Sequence, residues 1–172
     1  RSQRRADQIG LLNSVAHRLA AVREPERLLQ EAADTIQARM SHTYVAVVVL
    51  DLEGVLVGRW AGRQGIDRRS AGRTQGPVRG LIGRALRAKA PQLVPNVASD
   101  PDYHADVEST RSEMVIPLLE DGEAVGAIDF QSQEVGHFGL DDVAAGETLA
   151  EFLVVALRNA RLFAEARRPP SA

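Results

Sequence analysis

Apolar residues recur with a helical period at both ends of the chain and with a strand period in its middle. Near the N-terminus their spacing of three and four residues predicts an amphipathic helix over residues 3–23. The members of this narrow seam are Ile9, Leu12, Ala16 and Leu19. The seam suits pairing with a second helix as well as packing on the helix's own domain, and both interpretations stay open. Pro25 predicts the start of a second helix with a broader apolar stripe.

The middle of the chain is rich in β-branched residues and turn signals. Residues 44–50 (YVAVVVL) predict a central strand that is buried on both faces, and residues 55–61 (VLVGRWA) predict its antiparallel partner. Residues 76–88 predict a turn followed by a short helix. Residues 93–97 predict a short strand, and Pro95 favours an edge position for it or a kink within it.

A β-hairpin over residues 111–132 is the clearest local prediction, because Asp121 and Gly122 separate two apolar runs. A three-residue loop with Gly122 in the left-handed conformation sorts the two faces best. The inner face then carries Met114, Ile116, Leu118, Ile128 and Phe130. The outer face carries Glu113, Val115, Pro117, Val125, Ala127 and Asp129. This register predicts that Glu113 lies opposite Asp129.

The chain closes with a long predicted helix, from Gly139 to about Ala166. The order of elements predicts an α+β domain, in which a mainly antiparallel sheet has the N- and C-terminal helices on one face. The middle loops, including the polar stretch 98–110, are left to cover a ligand pocket on the other face. We predict three segments: a signalling and dimerisation helix over 1–23, a sensor domain over 24–166 and a tail over 167–172.

Composition narrows the possible functions. A net charge of −2 gives no electrostatic basis for binding nucleic acid or an anionic membrane. No apolar run is long enough to span a bilayer. The chain has no cysteine, which excludes a disulfide and a thiolate nucleophile. We expect a cytoplasmic location. The sequence begins without Met and inside a helical pattern, so we also expect it to be part of a longer protein.

Several short segments follow one another in a recognisable order. They are GLIGRA at 80–85, LVPNV at 93–97 with DPDY at 100–103, RSEMVIPL at 111–118, VGAID at 125–129 and ALRNARL at 156–162. This ordered set resembles the GAF domain, a small-molecule sensing and dimerisation module, over roughly residues 25–163. The resemblance implies a GAF/PAS-like sheet of five or six strands, a pocket on its uncovered face, and a homodimer through the terminal helices. It also implies a bacterial signalling protein, such as a sensor histidine kinase, cyclase, phosphodiesterase, phosphatase or transcription regulator.

One branch of the GAF family reduces free methionine sulfoxide with cysteines near the pocket and holds the ligand's amine with hairpin carboxylates. Because this chain has no cysteine, we do not expect it to carry out that reduction. Glu113 and Asp129 match two of the carboxylate places, whereas Gln131 stands where a further acid is expected. The signatures of the branches that bind cyclic nucleotides, bilins or haem are not matched.

The residues predict a binding site for a small polar ligand. Its members are Tyr103, Arg111, Glu113, Val115, Asp129 and Gln131. Facing carboxylates repel, and a bound cation would relieve the repulsion. Pairing with Arg111 or with an arginine of the Gly62–Thr74 loop, or a register that is off by one, would explain the pattern without a ligand. Arginines between positions 59 and 87 offer a weaker candidate, an anion site at Gly80–Gly83, although a solvated loop is the simpler interpretation.

These observations predict a non-catalytic regulatory domain of a bacterial signal-transduction protein, for example of a two-component system. The unidentified ligand would order the loop 98–110 and bias the terminal helices. The alternative is a structural dimerisation and signal-relay module without a ligand. We predict no catalytic residue, no metal ligand, no cofactor, and no contact with nucleic acid or membrane.

Overall fold

The computed structural model describes residues 2–40, 43–51, 53, 55–61, 78–105 and 107–170. Helices lie at the two ends of this part of the chain and strands lie between them. The elements are α1 (Ser2–Ala20), α2 (Pro25–Arg39), β1 (Thr43–Leu50), β2 (Leu56–Ala61), α3 (Gly80–Ala88), β3 (Gln92–Val94), a 3-10 turn (Val97–Ser99), β4 (Ser112–Glu120), β5 (Glu123–Ser132) and α4 (Leu140–Ala166). None of the described helices is long and apolar enough to cross a membrane.

The five described strands form one sheet in the order β2-β1-β5-β4-β3, and each neighbouring pair is antiparallel. The predicted α+β architecture is therefore confirmed. The short strand β3 lies at the edge, as Pro95 predicted, and Pro95 itself follows the last strand residue. The hairpin strand β5 lies at the centre of the sheet, between β1 and β4.

The two faces of the sheet have different partners. On the inner face, side chains such as Val47, Ile128 and Phe130 pack in one buried cluster with α1, α2 and α4. Each fully buried side chain of this size stabilises the fold by about 1.5–3 kcal/mol. On the outer face, Leu81 and Ala85 of α3 pack in a smaller cluster against β4 and β5. The terminal helices thus share one face, as predicted, and α3 covers part of the other.

Helix α1 packs on its own domain through a seam that differs from the predicted one. Leu11, Val15 and Leu19 are buried at spacings of four residues. Leu19 belongs to the predicted seam, but Ile9 is 53% exposed. Apolar residues lie over a wide part of the surface of α1, so two different stripes could face the domain. Packing against α2 and α4 buries the stripe of Leu11, Val15 and Leu19.

The register of the central hairpin differs from the prediction. Asp121 and Gly122 both have positive φ, at 51° and 80°, and form a two-residue turn. A bulge then shifts the pairing between Leu118 and Leu119. The predicted pairing of Glu113 with Asp129 is wrong, since Glu113 lies opposite Gln131 and Asp129 lies opposite Val115. The two faces are sorted as predicted, apart from Val125, which packs on the inner cluster.

The prediction placed the extra residue in the turn, whereas the structure places it in the strand. A close packing contact and a side-chain ion pair also join the helices to the sheet. A Cβ atom on Gly146 of α4 would lie 2.8 Å from Cγ1 of Ile116, so α4 crosses β4 closely at this point. Lys89, the single lysine of the chain, ends α3 in the left-handed conformation and pairs with Glu123 of β5 at 3.1 Å.

Candidate functional site

Three polar side chains form a buried group on the outer face of β4 and β5. Glu113, Asp129 and Gln131 are only 5%, 2% and 4% exposed. Because Glu113 lies opposite Gln131, Asp129 is its diagonal neighbour across the two strands. Diagonal neighbours are still within reach of long side chains. The structure therefore places Glu113 and Asp129 near each other on the same face of the sheet. They are diagonal neighbours and not the directly opposite pair that was predicted.

A chain of hydrogen bonds orients two of these side chains, Gln131 and Asp129. The hydroxyl Oγ1 of Thr110 donates to Oε1 of Gln131 at 2.6 Å, and Nε2 of Gln131 donates to Oδ2 of Asp129 at 2.7 Å. Thr110 is 3% exposed. Both bonds are short, and hydrogen bonds in buried surroundings of low polarity are stronger than those in water. Sequence reasoning missed Thr110, whose only signal is its position just before β4.

Apolar side chains surround the buried group. Val115 and Ala127 lie on the same face and are fully buried, and Val94 of β3 lies opposite Glu113. Tyr103 is partly buried against this cluster. Charges act strongly on one another in such low-polarity surroundings, so a cationic group placed beside Glu113 and Asp129 would be attracted strongly. The arrangement suits a ligand with a cationic group and an apolar portion.

The segment that follows β3, residues 95–105, is called the cover segment here. Arg84 of α3 holds it through Asp100, with Nη2 to Oδ2 at 2.9 Å and Nη1 to Oδ1 at 3.0 Å. Nη1 also donates to Asp102 at 3.1 Å, and Nε donates to Gln92 at 2.8 Å. The hydrogen bond from Arg84 lowers the pKa of Asp100, and the same bond raises the pKa of Arg84. Arg84 is thus engaged by two carboxylates, unlike the free arginine that an anion site would need.

Arg111 and the Gly62–Thr74 loop were the predicted sources of an arginine for the carboxylates. Arg111 is exposed, and its Nη1 donates to the carbonyls of Glu108 and Thr110. The structure thus places this guanidinium along its own loop. The Gly62–Thr74 loop lies outside the described residues. Within the part of the chain that is described, no group of three or more His, Asp or Glu side chains could hold a metal ion.

The family assignment rests on a direct match. A model of the GAF domain matches residues 22–158, which is most of the chain. The chain belongs to the GAF domain family. The match begins at the end of α1 and reaches into α4, so it contains the whole described sheet and the buried carboxylates.

Curated relatives resemble this GAF domain in part of its length. GAF domain-containing protein A of Dictyostelium discoideum is 31% identical over 72 residues, which are 37% of this chain and 46% of the relative. The free methionine-R-sulfoxide reductase of Saccharomyces cerevisiae is 33% identical over 76 residues, which are 44% of this chain and 42% of the relative. The chain therefore matches less than half the length of either relative.

A solved structure resembles the domain as a whole. It is that of the free methionine-R-sulfoxide reductase from Neisseria meningitidis in complex with its substrate, with a TM-score of 0.79. The alignment covers 90% of each chain at 23% sequence identity. Similarity at this level of identity establishes a shared fold.

These relatives correct the predicted function. The sequence led us to expect a non-catalytic sensor of a signal-transduction or two-component system, with a ligand-free relay module as the alternative. That expectation is wrong, since the relatives in sequence and in structure include free methionine-R-sulfoxide reductases, which are enzymes. The expectation gave decisive weight to the missing cysteines, although a missing thiol excludes only one source of electrons.

Proposed function

We propose that this GAF domain binds free methionine-R-sulfoxide, or a closely similar sulfoxide amino acid, at its outer-face site and reduces it. The observation that carries the proposal is the buried pair of carboxylates, Glu113 and Asp129, which are 5% and 2% exposed beside an apolar wall. The similarity to a free methionine-R-sulfoxide reductase supports the choice of substrate.

The chemistry of a free sulfoxide amino acid fits this site. Its ammonium group is attracted by the carboxylates of Glu113 and Asp129, because opposite charges attract most strongly in low-polarity surroundings. Its apolar arm lies against Val115 and Tyr103. Gln131, fixed by Thr110 and Asp129 through bonds of 2.6 and 2.7 Å, keeps the carboxylate of Asp129 oriented.

The reduction requires electrons from another molecule. Breaking the sulfur–oxygen bond takes two electrons and two protons, and the oxygen leaves as water. This chain has no cysteine. We therefore propose that two thiol groups of an external reductant supply the electrons and protons and are joined as a disulfide. The domain's own contribution is to bind and orient the sulfoxide and to exclude bulk water from it.

Calorimetry with free L-methionine-R-sulfoxide tests the binding step. We expect binding to the wild-type protein, with weaker binding of the S-sulfoxide and of L-methionine. Glu113→Gln and Asp129→Asn should each weaken binding by about 10- to 100-fold, the loss expected for hydrogen bonds to a charged group. The matched control is Glu123→Gln, which changes an exposed carboxylate of the same hairpin and should leave the affinity unchanged.

Turnover is tested separately with dithiothreitol or thioredoxin as the thiol. Formation of methionine is followed by chromatography, and the reaction without protein is subtracted. We expect a rate above that background, and a loss of rate in Glu113→Gln that parallels its loss of affinity. A wild-type protein that does not bind the sulfoxide would contradict the whole proposal. Binding without turnover would contradict the reductase step alone.

We also propose that the domain forms a homodimer through its terminal helices. Phe152, Val155 and Leu162 on α4 are 43%, 58% and 58% exposed. Together with the exposed Asn159, they recur at spacings of three, four and three residues. This is the a/d spacing of a two-stranded coiled coil, in which a single Asn at an a position favours a dimer.

A further inference from the structure

Arg84 joins α3 to the cover segment through an unusually complete set of bonds. Nη1 and Nη2 of Arg84 contact both carboxylate oxygens of Asp100, and this bidentate geometry is the strongest form of an arginine–carboxylate pair. Further bonds run to Asp102 and Gln92. The side chains of Arg84 and Asp100 are 28% and 14% exposed, so water screens this pair less than it screens a surface pair. We call these four residues the Arg84 network.

The Arg84 network fixes the part of the cover segment that carries Tyr103. The N–H of Tyr103 donates to the carbonyl of Asp100 at 3.3 Å, and the N–H of Asp102 donates to Oδ1 of Asp100 at 2.9 Å. The same carboxylate therefore accepts from Arg84 and from the backbone of the segment. The backbone of Asp102 and His104 also packs against the N-terminal glycine of α3, Gly80.

Further backbone and side-chain bonds hold the segment near its start and the chain beyond its end. Val97 is 4% exposed, and its N–H donates to the carbonyl of Arg111 at 3.0 Å. Thr110, beyond the far end, is held by Gln131 of the buried group. Between these two points, the side-chain bonds of Arg84 reach the segment from the rigid helix α3. Loss of Arg84 would remove the side-chain bonds between α3 and the middle of the segment, and would leave the bonds near its start and beyond its end in place.

We propose that Arg84 is a positioning residue for the outer-face site, which holds the cover segment and Tyr103 over a bound ligand and so sets the rate of ligand release. The proposal rests on the proposed function for the identity of the ligand. Arg84 contacts Asp100 and Asp102 and acts on the ligand through them. Its loss should therefore alter release and leave the chemistry of Glu113 and Asp129 in place.

The chain offers a matched control. Arg158 of α4 also pairs with two carboxylates, with Nε to Glu120 at 2.9 Å and Nη2 to Asp121 at 3.3 Å. This second cluster lies at the turn of the hairpin, on carboxylates that do not belong to the outer-face group. Arg158→Met removes a similar set of ion pairs without touching the cover segment. A purely structural role of Arg84 would make the two variants alike.

The test compares Arg84→Met, Arg84→Lys and Arg158→Met. Release of L-methionine-R-sulfoxide is measured by stopped-flow displacement, and hydrogen exchange is measured at the amides of residues 100–105 without ligand. We expect release to be about 5- to 30-fold faster in Arg84→Met and unchanged in Arg158→Met. Arg84→Lys keeps the charge but not the forked donor, so it should fall between wild type and Arg84→Met.

The two readouts separate the inference from the function on which it rests. Unchanged release together with unchanged exchange in Arg84→Met would overturn the role of Arg84. Equal acceleration in Arg158→Met would also overturn it, because the effect would then be general. If the wild-type protein does not bind the sulfoxide, the proposed function fails. Exchange in the ligand-free protein then decides the positioning role: faster exchange in Arg84→Met alone supports it, and unchanged exchange overturns it.

Discussion

At the scale of single residues, Asp100 shows how a surface loop gains a defined position. The hydrogen bond from Arg84 is the largest cause of its lowered pKa, and burial acts in the opposite direction. A carboxyl group whose pKa is lower in the folded state stabilises that state above its ordinary pKa of 3.8. This stabilisation is lost as the pH falls through the lower, folded-state pKa.

The lowered pKa of Asp100 predicts how the stability of an Asp100→Asn variant depends on pH. At pH 7 the variant should be less stable than wild type by about 1 kcal/mol, because a charged acceptor of the Arg84 guanidinium is lost. The difference should begin to shrink as the pH falls to 3.8, where Asp100 of the unfolded wild-type chain takes up a proton, and should be lost as the pH falls through the lower pKa of the folded state. Urea unfolding between pH 2.5 and 7 measures it. In the Arg84→Met background the difference should vary much less with pH, and equal slopes in both backgrounds would contradict the assignment.

Strand alternation made several site positions predictable. Glu113, Val115, Asp129 and Gln131 lie on the predicted outer face, because the two-residue period of a strand fixes the face independently of the exact pairing. Thr110 and the Arg84 network could not be predicted in this way. Arg84 joins a helix to a loop, and Thr110 joins a loop to a strand. The spacing of apolar residues within one helix or strand does not indicate such contacts between elements.

At the scale of the elements, the position of α4 depends on one residue without a side chain. Gly146 lies against Ile116 of β4, and a Cβ atom there would come within 2.8 Å of Cγ1 of Ile116. The helical period of α4 predicted which side of it faces the sheet. How closely the helix and the strand approach each other depends on the small volume of Gly146, and the hydrophobic pattern does not contain that information.

Gly146→Ala should destabilise the domain by about 1–3 kcal/mol, because the added methyl group forces α4 or Ile116 to shift. Gly10→Ala is the matched control. Gly10 also lies within a helix, and its nearest neighbour is the end of the Arg39 side chain at 3.9 Å. Alanine should therefore stabilise α1 by about 0.5–1 kcal/mol there. Thermal unfolding measures both, and changes of the same sign would contradict the close packing of α4.

The hairpin shows a limit of sequence reasoning at this scale. Asp121 and Gly122 indicated the position of the turn. The prediction gave the turn three residues, whereas the structure has a two-residue turn and a bulge near Leu118. A three-residue loop and a two-residue loop with a bulge both restore the alternation of faces. The faces could therefore be predicted, whereas the pairing of Glu113 could not.

At the scale of the whole molecule, the order of elements predicted the fold, and the resemblance of several short segments to the GAF domain predicted the family. Neither predicted the kind of function. One fold can support sensing, catalysis or assembly, and the difference lies in the site. The absence of cysteine pointed to a non-catalytic domain, and the reductase relatives contradict that conclusion. Under the proposed function, the electrons come from a second molecule, and no pattern within one chain specifies that molecule.

The proposed homodimer is also a property of the whole molecule. Val155→Glu places a charge in the exposed stripe of α4 and should convert a dimer to a monomer, as measured by light scattering coupled to size-exclusion chromatography. Val135→Glu is the matched control, since Val135 is similarly exposed at 61% but lies outside α4. A monomeric wild-type protein, or equal effects of the two changes, would contradict an interface through this helix.

The contact between Lys89 and Glu123 has a practical consequence. Lys89 is the only lysine in the chain and ends α3, the helix that carries Arg84. An amine-reactive fluorophore applied at a pH where other side chains are inert would therefore attach at one defined side chain, besides any free chain terminus. The dye would report on the junction of α3 with the central hairpin. The natural sequence thus allows movement beside the site to be followed optically without a single substitution.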